Sequence, residues 1–266
     1  MLKWILGLVY FVSIDVSATR LGTELGPELE MALKGQDQFE YSQYFVVKEE
    51  LRSASLNLLN LKLINEKFPL PSDPYQREPQ FGGWIFRDER KCINTRAEVL
   101  ERDSKSNVTY RPNGCTILNG QWDDVYSGQE FSSAEEIQID HFVPLKNAYM
   151  SGAFEWNYKK RCLYANYLGN NFHLLAVSGK ENMHKSDHAP NEYVPPNKKY
   201  TCEYLKHWLQ VKLIWSLRLT PVEVDAIKQK AAEAQCGGNA FIISQQDLDE
   251  QRRFMVDHAN LCNSHQ

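Results

Sequence analysis

Three short stretches organise the chain: Ile139-Asp140-His141-Phe142-Val143-Pro144, then Asn170-Asn171-Phe172-His173, then Asn182-Met183-His184-Lys185-Ser186-Asp187. From Glu136 to Leu145, Ile137 and Ile139 alternate with polar neighbours and Pro144 stands near the end, a pattern that predicts a short strand. Phe172 to Val177 is a second apolar run of strand length, and Ser178 to Asp187 is polar enough for a short exposed helix. Ala148 to Tyr167, between the two strands, reads as helical in part. The local order is therefore strand, excursion, strand, helix.

This order brings together residue types suited to one chemistry. Hydrolysis of a phosphodiester needs a base to deprotonate water and a cation to stabilise charge on phosphate and leaving oxygen. A histidine near neutral pKa suits the first task, and His141 is the candidate. A carboxylate and an amide oxygen are hard ligands for Mg²⁺. Asp140 and Asn182 supply them if the second strand and the helix fold back across the first. Successive strand side chains point to opposite faces, so Asp140 and His141 reach metal and water from different directions.

Outside these stretches, 266 residues with 42% hydrophobic content are enough for one main domain. Met1-Leu2-Lys3, an apolar run from Trp4 to Ile14 and Val16-Ser17-Ala18 form a secretory signal pattern over residues 1–18. The run falls short of the ~20 apolar residues of a spanning helix, so export and cleavage are expected rather than anchoring. Six cysteines without a Cys-x-x-Cys pair argue for disulfides in an exported protein and against a structural zinc cage. Their connectivity stays open among about 15 possibilities. Asn107-Val108-Thr109 is an N-glycosylation acceptor sequence.

The net charge of −4 conceals an asymmetry: His141 to Lys230 holds thirteen Lys and Arg against seven Asp and Glu, a net +6, leaving −10 for the remainder. A basic segment inside an acidic chain suits either a phosphate-binding surface or a solvated charged face. Residues 19–83 read as a helical segment, with an amphipathic helix from Val46 to Ile64, and a connector from Lys67 to Gly83 broken by Pro69, Pro71, Pro74 and Pro79. Trp84 to Gly128 reads as irregular and disulfide-tied. Tyr204, Leu205, Trp208, Val211, Leu213, Ile214 and Trp215 form a helical core stripe, and Thr220-Pro221-Val222-Glu223 starts a further helix. The main domain spans 84–236, followed by a helical tail over 237–266.

These residues resemble the HNH endonucleases, in particular secreted proteins related to the nuclease half of GmrSD-type restriction enzymes. The likeness runs from about Tyr75 to Cys236 and takes in Cys92-Ile93-Asn94-Thr95-Arg96, Ile139 to Leu145, Tyr164-Ala165-Asn166, Leu174-Leu175-Ala176-Val177, Asn182 with Lys185, and Cys202-Glu203-Tyr204 with Trp208 and Lys212. It implies an α+β fold: a small ββα-metal (His-Me finger) core embedded in a helix-rich, disulfide-linked single domain. It further implies His141 as general base, Asp140 and Asn182 as ligands of a divalent metal, Mg²⁺ first with Mn²⁺ or Zn²⁺ as alternatives, and Lys185 beside the phosphate.

A residue orienting the base precedes the Leu-Leu-Ala-Val run in this family. His173 occupies that position, and Asn171 fits a shifted alignment. Arg96 is open between phosphate contact and structural pairing. Lys159, Lys160, Arg161 and His184 are further candidate substrate contacts. The resemblance implies Cys92–Cys115 and Cys202–Cys236, which leaves Cys162 for Cys262. The expected function is a secreted endonuclease acting on DNA or RNA, without membrane attachment after signal cleavage and without an obligate protein partner. The alternative is a secreted, non-catalytic effector or nucleic-acid-binding module that keeps the fold.

Overall fold

The aromatic and β-branched residues of Tyr44-Phe45-Val46-Val47 lie in a strand, not in the amphipathic helix expected over Val46–Ile64. The structure, a computed structural model, describes residues 41–47, 55–60, 63–87 and 92–262. The expected signal segment lies outside these. β1 (Tyr41–Val47), β2 (Ser55–Asn57) and β3 (Leu63–Pro69) occupy the segment instead. β1 and β3 pair antiparallel from Tyr41↔Pro69 to Val47↔Leu63, and β2 pairs with a strand close to the C-terminus. Short apolar runs fit either period, and the distant partner strands decide between them.

Helix α1 (Arg77–Phe81) falls within the proline-rich connector, and α2 (Thr95–Asp103) follows the first cysteine. β4 (Thr109–Tyr110), β5 (Ile117–Asp123) and β6 (Glu130–Ser133) form a three-stranded antiparallel sheet with register shifts. This stretch is therefore more regular than its turn-rich sequence suggested. Next come β7 (Ile137–His141), α3 (Leu145–Met150), α4 (Tyr158–Ala165), β8 (Leu174–Ser178) and α5 (Gly179–Lys185), in the strand, excursion, strand, helix order read from the sequence. The expected core stripe is α6 (Thr201–Ile214). α7 (Pro221–Glu233) starts at a capping box, in which Thr220 accepts from the Glu223 N–H and Glu223 accepts from the Thr220 N–H. β9 (Ile242–Ser244), the partner of β2, and α8 (Gln245–Asp257) complete the chain.

The molecule is a mixed α/β single domain, and the hairpin of β7 and β8 lies between its two apolar clusters. Ile137, Ile139, Leu174 and Ala176 share one face and pack with Val99, Leu100 and Trp122. Burying each such aliphatic side chain contributes about 1.5–3 kcal/mol. The larger cluster gathers around Trp208, Trp215, Tyr164, Tyr204 and Phe142. Three disulfides tie the periphery: Cys92–Cys115 and Cys202–Cys236, the pairs that the family resemblance implies, and Cys162–Cys262, the pair these two leave over. They close sequence separations of 23, 100 and 34 residues, and each removes unfolded-state entropy amounting to about 2–4 kcal/mol.

Candidate active site on the β7–β8 hairpin

Antiparallel pairing of β7 with β8 sets Asp140 opposite Leu175 and His141 opposite Leu174. Strand alternation then sends the two side chains to opposite faces. On the Asp140 face lies α5, whose N-cap Ser178 accepts from the Glu181 N–H. One turn further on, Lys185 donates to Asp140 Oδ1 at 2.8 Å and to the His141 carbonyl at 3.1 Å. The Tyr126 hydroxyl donates to Asp140 Oδ2 at 2.6 Å. All three side chains are buried. Burial raises the Asp140 pKa, partly offset by Lys185, and lowers that of Lys185, partly offset by Asp140. A buried ion pair recovers its desolvation cost only with such complementary hydrogen bonds.

His141 faces the other way. Its Nε2 lies 3.0 Å from the Ala165 carbonyl at the end of α4. A carbonyl can only accept, so Nε2 carries the hydrogen and the neutral ring keeps its lone pair on Nδ1. Burial holds the His141 pKa well below 6.5, and the Arg77 guanidinium lowers it further. The indole of Trp84 stacks on the imidazole, with centroids 5.2 Å apart and planes within 1°. Asn166 secures that indole by accepting from the Ile85 N–H and donating to the Gly83 carbonyl, both at 3.1 Å. Arg77 lies 5.6 Å from the Trp84 ring centroid. Trp84, Asn166, Tyr126 and Arg77 were not singled out from sequence. Asn166 had a visible signal, its place in the Tyr164-Ala165-Asn166 match.

Asn182 projects from α5 on the Asp140 side and donates from Nδ2 to Gln138 Oε1 at 2.7 Å. Gln138 and Asp140 share a face of β7, so the hairpin brings Asn182 alongside the Asp140 face. His173 does not touch His141. Its Nε2 donates to the Tyr164 carbonyl at 2.7 Å, so the two imidazoles hold consecutive carbonyls at the end of α4. The group that orients the His141 ring is thus the Ala165 main chain. Asn171 is exposed, with its carbonyl accepting from Arg102.

The expected basic contacts separate. Arg96 donates to the Ala134 and Ile137 carbonyls. Arg161 is likewise held by main-chain carbonyls, those of Gln80 and Trp156. Lys159 and Lys160 lie on the first turn of α4, and His184 is exposed, 4.0 Å from the Glu181 carboxylate. Asn107 is exposed between α2 and β4. No group of three or more His, Cys, Asp or Glu side chains able to hold a metal occurs among the described residues.

Two histidines give the fold an acid limit. Burial lowers the pKa of His173 to about 3 and that of His207 to about 4. Below pH 6.5 the unfolded chain binds protons that the folded chain refuses, so stability present above that pH is lost as pH falls. Between pH 6.5 and 5.5 the two together cost roughly 2 kcal/mol, about 1 each. Thermal melts should show the midpoint dropping by roughly 4–8 °C over this interval; a flat midpoint overturns the assignment.

The C-terminal domain of GmrSD restriction endonucleases matches residues 94–224. An uncharacterized secreted protein of Arthroderma benhamiae is 38% identical over 157 residues, 59% of this chain and 74% of that protein. The chain belongs to the GmrSD C-terminal domain family. No solved structure matches it. The match to this family begins at Asn94, the N-cap of α2, and ends in the first turn of α7. It includes β7, β8 and α5 whole, whereas the β1–β3 pair and α8 are outside it. Trp84 and Arg77 are outside it too, so two side chains beside His141 come from sequence N-terminal to the matched region.

Proposed function

We propose that this chain is a secreted endonuclease of the HNH type that hydrolyses nucleic-acid phosphodiesters with His141 as general base. One observation carries the reading: His141 is held neutral, with its N–H fixed on the Ala165 carbonyl and its Nδ1 lone pair left as proton acceptor. A base so oriented needs no rearrangement to take a proton from water. Arg77, Trp84 and the basic stretch from His141 to Lys230 then hold the polyanion near that ring.

A divalent ion fits the donor chemistry at the opposite face. Asp140 and Asn182 offer hard oxygens, and the Asn182 amide already points its nitrogen at Gln138, leaving Oδ1 without a hydrogen bond among the described residues. Asp140 is a carboxylate that already attracts a cation, the Lys185 ammonium. Mg²⁺ suits such a site because it completes its shell with water and phosphate, and Mn²⁺ or Zn²⁺ remain alternatives. When bound, the ion supplies stabilisation of charge on the phosphate and leaving oxygen. Tyr126 and Lys185 work against the rise that burial imposes on the Asp140 pKa and fix the carboxylate's aim.

Export is part of the proposal. It rests on the leader pattern, on three disulfides that use every cysteine, and on a relative named as secreted. No helix among the described residues is long and apolar enough to cross a membrane. A second reading, a binding module without turnover, has one observation in its favour: both oxygens of Asp140 are already bonded within the protein.

Purified protein incubated with plasmid DNA and total RNA separates the two. The nuclease reading expects at least one polymer to be cut with Mg²⁺ and spared with chelator. Retention of polymer without cutting, across Mg²⁺, Mn²⁺ and Zn²⁺, sinks the nuclease reading in favour of the module.

A further inference from the structure

Asn107-Val108-Thr109 is the only Asn-x-Ser/Thr sequence in the chain, and the hairpin site makes no use of it. The segment that carries it is fixed at both ends. The Lys105 N–H donates to the Gln121 carbonyl at 2.7 Å and the Gln121 N–H donates to Ser104 Oγ at 3.0 Å. On the other side Thr109 opens β4 opposite Asn119. Val108 packs against the apolar cluster around Trp122, while its two neighbours Asn107 and Thr109 are both exposed. Positions two apart on an extended segment share a side, so the amide and the hydroxyl are presented to solvent together.

The Asn107 amide is also uncommitted: it makes no hydrogen bond among the described residues. Asparagines in loops often close a turn on their own main chain, and Asn113, exposed in the turn before β5, does so. Its Oδ1 accepts from the Cys115 and Thr116 N–H groups at 3.0 and 3.1 Å, and its Nδ2 donates to Thr116 Oγ1 at 3.0 Å. The Thr109 hydroxyl accepts from Asn119 Nδ2 at 3.3 Å, which leaves its own proton free to donate. Asn107 lies, moreover, inside the loop that Cys92–Cys115 closes. Such bridges form in the oxidising compartment of export, the route on which asparagine amides receive sugar.

We propose that Asn107 carries an N-linked oligosaccharide. In the transfer its Nδ2 forms a bond to the anomeric carbon of a lipid-diphosphate-linked oligosaccharide. The anomeric carbon–oxygen bond breaks, the lipid diphosphate leaves with the electron pair, and one amide proton passes to solvent. The sugar is bulky and hydrated, and it stands on the β4 side of the three-stranded sheet. Among the described residues neither Asn107 nor Thr109 makes a hydrogen bond to β7, β8 or α5. The inference rests on the export reading and not on hydrolysis at His141.

Expression of the full chain in a eukaryotic secretory host tests it, with the protein collected from the medium and its peptides weighed before and after peptide-N-glycosidase. The peptide that holds residue 107 is expected to carry hexose and N-acetylhexosamine mass before treatment and aspartate at 107 after it. Asn107→Gln and Thr109→Ala should each abolish the sugar, whereas Thr109→Ser keeps the hydroxyl and should retain it at least in part. After deglycosylation all of these chains should melt together, as exposed substitutions generally allow. A secreted chain whose residue 107 is unmodified, or sugar on 107 that survives Thr109→Ala, overturns the proposal and leaves the export reading standing. A chain that never leaves the cytosol brings down both.

Discussion

His141→Ala is expected to lower phosphodiester cleavage by about 10²–10⁴-fold, the range of a general base, with the affinity for uncut nucleic acid little changed. The imidazole is the one group on its face of β7 with an aimed proton acceptor, and Lys185, Asp140 and Asn182 lie on the other face. Truncation also leaves a space under the Trp84 indole, where the imidazole ring was stacked. Added imidazole should enter it and restore part of the rate, an outcome that a merely structural role for His141 does not produce. Single-turnover cleavage with and without imidazole, beside a binding isotherm, checks both. Wild-type cleavage by His141→Ala refutes the mechanism.

Lys185→Met should destabilise the fold by about 3–5 kcal/mol, the cost of leaving a buried charge without its partner. Lys185 is fully buried and Asp140 nearly so, and Tyr126 alone cannot neutralise the carboxylate. For a domain of this size the melting midpoint falls by roughly 10 °C. If Asp140 and Asn182 share a divalent ion, Mg²⁺ should return more of the midpoint in Lys185→Met than it adds to the wild type, because the ion takes over the ammonium's role. Calorimetry with and without Mg²⁺ reads both effects. An unchanged midpoint in the variant removes the ion pair from the stability argument, and equal Mg²⁺ shifts in the two proteins remove Asp140 from the metal site.

Legibility varied along the chain with the range of the interactions. The β7, β8 and α5 order was readable because Ile137 and Ile139 alternate locally and Ser178 lies at a helix start. The segment from Val46 to Ile64 misled because its apolar residues fit a helix, while the strands that overrule this pattern come from Leu63–Pro69 and from Ile242–Ser244. Arg96 and Arg161 show the same division within the site. An arginine after the first cysteine of the family likeness, or one in a basic stretch, suits phosphate, but only packing reveals that their guanidinium groups hold carbonyls. Trp84 carried little signal because its support, Asn166, lies 82 residues further along the chain.

Residue type and short spacing by themselves determined the chemistry available to this protein: an imidazole beside a carboxylate on one strand, an amide oxygen and an ammonium one helical turn apart, and six cysteines for an oxidising compartment. Tertiary structure alone decided the state of each group. Burial keeps His141 neutral, the end of α4 selects its tautomer, and Lys185 with Tyr126 opposes the rise that burial imposes on the Asp140 pKa. Protonation and aim depend on dielectric and on partners distant in sequence, and a local pattern holds no information about either.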